Sequence, residues 1–124
     1  MKFVFCLVLC VTALAVSEAC SCDPTVDVSD YSRYDFVVRA RVKRERVKNG
    51  MRKYVVKIKE IFEQPPNMVT YGGGGNKLNI YTNSESSLCG IRLTVGSLYV
   101  LGGSYDATSS RANIGSCQYY TQVS

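Results

Sequence analysis

Two cysteines bunched at Cys20 and Cys22 and two more far along the chain, at Cys89 and Cys117, constrain this sequence more than any other feature. An even set of cysteines in a small secreted domain reads as a disulfide framework, and four cysteines allow three pairings. A bridge between Cys20 and Cys22 would close a very small strained ring. Two pairings are left, and in each the first two cysteines reach distant partners. Either one closes loops spanning most of the chain, which in the chain-entropy view is worth on the order of 4 kcal/mol for the first bridge. A terminus ordinarily frays, so pinning it twice implies that its placement matters.

That framework presupposes removal of residues 1–19, which carry the three parts of a secretory signal. Lys2 is followed by an apolar run from Phe3 to Val16, then by Ser17-Glu18-Ala19 with small residues at the first and third places. The run is too short to span a bilayer, and Cys6 and Cys10 leave with it. A lipoprotein signal also ends before a cysteine, but it wants a branched aliphatic residue near Ser17 and fits Glu18 poorly. The expected product is a secreted, extracellular single domain, residues 20–124, with no membrane span and a free amine on Cys20.

Histidine is absent from the chain, which removes His triads, His general bases and His metal ligands together. With no thiol expected free and only scattered carboxylates, nothing supplies a nucleophile with its base, so an enzyme is not expected, nor any cofactor of its own. No asparagine has Ser or Thr at the glycosylation spacing.

Asp23-Pro24 breaks any regular start, and the Asp and Ser residues from Asp27 to Tyr34 predict a short helix of about two turns. Val38, Ala40 and Val42 then alternate with Arg39, Arg41 and Lys43, and Tyr54, Val56 and Ile58 with Lys53, Lys57 and Lys59; this is the period of half-buried strands. Asn49-Gly50 between them is a tight-turn signal, so the two runs should pair antiparallel. Gln64-Pro65-Pro66 ends the second strand. Tyr71 to Asn76 is a glycine-rich loop without the Gly-Lys-Ser/Thr ending of a phosphate cradle. Further strands are expected at Lys77 to Thr82, Ser97 to Leu101 and Arg111 to Cys117, with Gly102-Gly103 as a bend between the last two. Five short strands and little helix point to an all-β fold, a small five-stranded barrel of the oligonucleotide/oligosaccharide-binding type.

Cys20-Ser21-Cys22-Asp23-Pro24, then Asp35-Phe36-Val37-Val38-Arg39-Ala40, then Tyr81-Thr82 followed by Ser87-Leu88-Cys89-Gly90, resemble the N-terminal netrin-like domain of the tissue inhibitors of metalloproteinases. The resemblance covers most of residues 20–124. It implies a barrel of the kind argued above, with its N-terminus disulfide-linked through Cys20–Cys89 and Cys22–Cys117. It also implies inhibition by chelation, in which the α-amine and carbonyl oxygen of Cys20 bind the catalytic zinc of a secreted metalloproteinase. Carried over by position, the Ser21 side chain enters the enzyme's specificity pocket, Cys22, Asp23 and Pro24 continue the contact, and Ser87 and Leu88 form a second strip. The sequence departs from the family at Ser32, where a cysteine is usual. No cysteine follows Cys117, so the third bridge is expected to be missing, and the helical tail and C-terminal domain have no counterpart: a truncated, single-domain form.

A second class of function rests on charge. Between Arg39 and Lys59 ten Lys and Arg stand against Glu45 alone, in a chain of net charge +5. Arg39, Arg41 and Lys43 on one strand, beside Lys53, Lys57 and Lys59 on its partner, would give a field suited to heparan sulfate-type glycans or a cell-surface protein. Secretion argues against nucleic acid. On this reading the chain is a non-inhibitory netrin-like module.

Overall fold

The Asn49-Gly50 turn nucleates the longest feature of the molecule. A computed structural model describes residues 20, 22 and 24–123; the leader, Ser21 and Asp23 lie outside the described residues. Asn49 and Gly50 both adopt positive φ, 53° and 76°, the pair of left-handed conformations whose twist matches two antiparallel strands. They join β1 (Phe36–Lys48) to β2 (Met51–Glu63), with Lys48 opposite Met51. Pro65 and Pro66 follow at once and stop the ladder.

The remaining strands are β3 (Lys77–Asn83), β4 (Leu98–Asp106), β5 (Arg111–Asn113) and β6 (Tyr119–Gln122). Their order is β1-β2-β3-β5-β4-β6, and β1 also pairs with β4, so five strands close into a barrel while β6 lies along β4. Most pairs are antiparallel; β3 and β5 run parallel. The predicted alternation sorts the faces: Val38, Ala40, Val42, Tyr54, Val56, Leu78, Ile80 and Leu101 fill the interior. Val37 and Val100 point outward, where Tyr34 covers them with Tyr31 and Tyr119 packed alongside.

Three details differ from expectation. The predicted two-turn helix is a single 3-10 turn at Tyr31–Arg33. Asp30 caps that turn, its side chain accepting the Ser32 N–H at 3.2 Å, while Asp27 accepts the Ser29 N–H at 3.0 Å in a separate local turn upstream, and such a bond competes with a longer helix. The glycine pair is not a bend, for β4 runs straight through it to Asp106. A Cβ on Gly102 would meet the Tyr34 ring at 2.9 Å, and one on Gly103 the Asn113 carbonyl oxygen at 2.2 Å and the Phe36 ring at 3.0 Å. Their missing side chains let neighbouring groups cross the strand closely. Finally, the fifth strand ends at Asn113 instead of Cys117. Gln118 bonds Gly115 through both backbone and side chain, folding residues 115–118 into a turn, and a sixth strand follows.

Gly103→Ala should therefore destabilise the protein by about 2 kcal/mol or more, as overpacking against backbone does, measured as a lower urea midpoint at unchanged slope. Gly50→Ala, which meets no atom and strains only φ, should cost about 1 kcal/mol.

Candidate functional site

The segment from Ser84 to Thr94 leaves β3 and crosses one end of the barrel, where Cys20, Cys22 and Cys117 are tied. Asn83 starts it: its side-chain oxygen accepts the Glu85 N–H at 3.0 Å. The Glu85 carbonyl then takes N–H bonds from Leu88 and Gly90, both at 3.1 Å, around the 3-10 turn Ser86–Leu88. Cys89 sits at φ 66°, and a Cβ on Gly90 would fall 1.9 Å from the Asn83 carbonyl oxygen. The chain can double back this tightly only because residue 90 is glycine. Leu88, at the outer corner, is 57% exposed, and Ser87 beside it is exposed too.

Cys89 is bonded to Cys20, and Cys22 to Cys117. The Cys89 carbonyl accepts the Ser116 N–H at 2.9 Å, and the Ser116 hydroxyl lies 2.9 Å from the Cys20 sulfur, to which it donates. Four cysteines and Ser116 thus gather three places remote in sequence: Cys20 with Cys22, residues 84–90 and residues 115–118. Cys22 and Pro24 are exposed. Ser21 and Asp23 fall outside the described residues. Among the described residues no three His, Cys, Asp or Glu side chains come together as a metal cradle.

Buried hydroxyls hold the crossing segment from beneath, and nothing in the sequence reading singled them out. Thr82 accepts the Ile91 N–H at 3.0 Å, Tyr54 the Leu93 N–H at 2.8 Å, and Tyr99 the Thr94 N–H at 2.8 Å. One signal was available: Tyr54 occupies the buried phase of its strand, and a buried tyrosine hydroxyl needs a partner. Burial pushes the Tyr54 phenol up to about 12, with the Leu93 N–H pulling the other way and Glu45 adding to the rise. The hairpin tip also reaches this end, since the Gly50 carbonyl accepts the Ser84 N–H at 3.0 Å.

The basic residues are arranged differently from the simple alternation. Arg41 faces Lys57, but Arg39 faces Glu60 and pairs with it at 3.6 Å, and Lys53 faces Arg46. The register shifts between Val42 and Arg44, setting Lys43 out of the ladder, and Lys59 falls at a second shift. Lys57 first, then burial, then Lys43, Arg41 and Arg39 hold the Lys59 amine below the usual lysine range. Five of the six cations thus share one field, with Lys53 apart.

A family model described as tissue inhibitor of metalloproteinase matches residues 18–124. Metalloproteinase inhibitor 2 of Bos taurus is 32% identical over 94 residues, covering 74% of this chain and 43% of its own length. The Rattus norvegicus protein of the same name is 33% identical over 92 residues, covering 73% and 42%. The chain spans less than half the length of these curated relatives.

Tyr54→Phe should leave the Leu93 N–H unpaired in a buried place and cost about 1–3 kcal/mol. With its folded value raised from 10, the phenol favours the folded state fully below pH 10, and that contribution is lost as pH rises toward 12. Urea unfolding should show wild type losing up to ~1.4 kcal/mol per pH unit across that window relative to Tyr54→Phe.

Proposed function

The chain belongs to the tissue inhibitor of metalloproteinase family, a family of inhibitors and not of enzymes, and from that premise we propose that residues 20–124 form a secreted inhibitor of a zinc metalloproteinase. The observation that carries the proposal is the double tether of the first residues, Cys20 to Cys89 and Cys22 to Cys117. Loss of residues 1–19 frees the Cys20 amine. A catalytic zinc keeps one coordination position open. The Cys20 amine and carbonyl oxygen, one backbone unit apart, close a five-membered ring with that metal.

Rigidity is what makes so small a contact effective. Immobilising a flexible segment costs roughly 0.5–1.5 kcal/mol per ordered side chain, more when backbone is ordered too. Here both bridges have met that cost before binding. Ser21 enters the pocket beside the metal, Asp23 and Pro24 extend the contact, and Ser87 with the protruding Leu88 supplies the second strip. A small Ser21 leaves a deep pocket largely unfilled, so selectivity among proteinases is broad. The zinc belongs to the enzyme.

Placing one alanine ahead of Cys20 should abolish inhibition of a secreted zinc endopeptidase while the melting temperature stays the same; an undiminished inhibition constant in the extended protein would overturn the reading. The neutral amine is the ligand, and an α-amine titrates near 7.7–8.0. Apparent affinity should therefore fall as pH drops below that range, approaching tenfold per unit, after correction for the enzyme's own pH profile. Leu88→Ala should weaken inhibition by about tenfold, since its exposed side chain would lose ~1–2 kcal/mol of apolar burial against the enzyme.

A further inference from the structure

Glu45 is the one carboxylate among ten cations between Arg39 and Lys59, and its place in the hairpin accounts for the exception. The register shift between Val42 and Arg44 brings Glu45 directly opposite Tyr54. Tyr54 is fully buried, and its hydroxyl oxygen accepts the Leu93 N–H at 2.8 Å. A hydroxyl that accepts in this way must point its own proton elsewhere, and in a buried place that proton needs an acceptor. The Glu45 carboxylate is that acceptor. Turned the other way, the Tyr54 O–H would meet the Leu93 N–H donor to donor.

Arg52 completes the arrangement. Its side chain is 8% exposed against 34% for Glu45, and the two lie 3.2 Å apart. A buried guanidinium needs a counter-charge, so Arg52 keeps the Glu45 carboxylate in place. In the other ladder Arg52 faces Thr82, whose hydroxyl accepts the Ile91 N–H at 3.0 Å. Both members of the ion pair therefore stand opposite a residue that holds the Ser84–Thr94 segment. The Gly50 carbonyl ties the start of the same segment to the hairpin through the Ser84 N–H.

We propose that Glu45 is a positioning residue for the inhibitory edge: held by Arg52, it turns the Tyr54 hydroxyl so that the oxygen faces the Leu93 N–H, and it thereby fixes how the crossing segment presents Leu88 and the Cys89-bound Cys20. The effect on a proteinase rests on the inhibitor reading above; the placing of the segment does not.

The test separates the acceptor from the charge. Glu45→Gln with Arg52→Met removes both charges but leaves an amide oxygen of the same reach opposite Tyr54. Glu45→Leu with Arg52→Met removes the acceptor as well. Replacing an ion pair by apolar groups of similar volume is often neutral or better for stability, so both pairs should melt close to the wild-type temperature. Inhibition of a secreted zinc endopeptidase should stay within about twofold of wild type in the first pair. In the second it should weaken by about tenfold through faster dissociation, the size of one lost hydrogen bond. Hydrogen exchange of the Leu93 amide should be unchanged in the first pair and about tenfold faster in the second. Equal inhibition by the two pairs would overturn the proposal, whatever the exchange rates. Should the second pair fail to fold, Tyr54→Phe, which deletes only the hydroxyl, should show the same loss of inhibition, and full inhibition by that variant would overturn the proposal too. A wild-type chain that inhibits no zinc endopeptidase would remove the inhibitor reading instead, and the exchange difference would then decide the placing of the segment by itself.

Discussion

Closure of β1 against β4 is the constraint on which the molecule depends. Six consecutive residues of β1, from Phe36 to Arg41, pair with Leu98–Gly103 while the same segment also pairs with β2. A strand used on both edges leaves no unpaired ladder there, and it seals an interior filled by Val38, Ala40 and Leu101. The closure works because β4 carries two glycines where other parts of the fold press against it. Phe36 and the Asn113 carbonyl approach one, and the Tyr34 ring the other.

Closure also fixes which end of the barrel receives the two disulfide bridges. The hairpin tip and the exit of β3 lie at one end, so the Ser84–Thr94 segment must cross it. Two kinds of force hold that segment, and they do different work. The bridges, worth on the order of 4 kcal/mol for a long loop, act mainly by restricting the unfolded chain. The Thr82, Tyr54 and Tyr99 hydroxyls are each worth roughly 1 kcal/mol, yet they set where Ile91, Leu93 and Thr94 sit. A disulfide alone would keep Cys20 near Cys89 without fixing the direction in which it projects.

Charge is segregated with equal clarity. Arg52 is the buried cation, held by Glu45, whereas the other cations of the hairpin are half-buried or exposed. Their mutual repulsion is softened by solvent and salt, which is why a sheet can carry so many with few acidic partners beyond Glu60 and Glu45. Where they crowd most, at Lys59, the strain shows as a lowered affinity for the proton.

The hairpin, the β3 span and the all-β architecture were legible in the residues, because Asn-Gly turns, prolines and two-residue alternation are local codes that hold wherever the strand ends up. The pairing of Cys20 with Cys89 and of Cys22 with Cys117 was legible only through the family resemblance, whose short motifs keep a fixed spacing. What the chain does not spell out locally was decided by packing. Gly102-Gly103 reads as a bend and proves to be strand, since only the neighbours crossing it reveal why side chains are missing. The Asp27 to Tyr34 segment reads as helix, but side-chain bonds to its own backbone and docking of Tyr31 and Tyr34 on the barrel leave one turn. The short β6 and the hydroxyl supports are long-range. Local sequence sets how a segment can bend and which face it hides, while closure of the barrel decides what those faces meet.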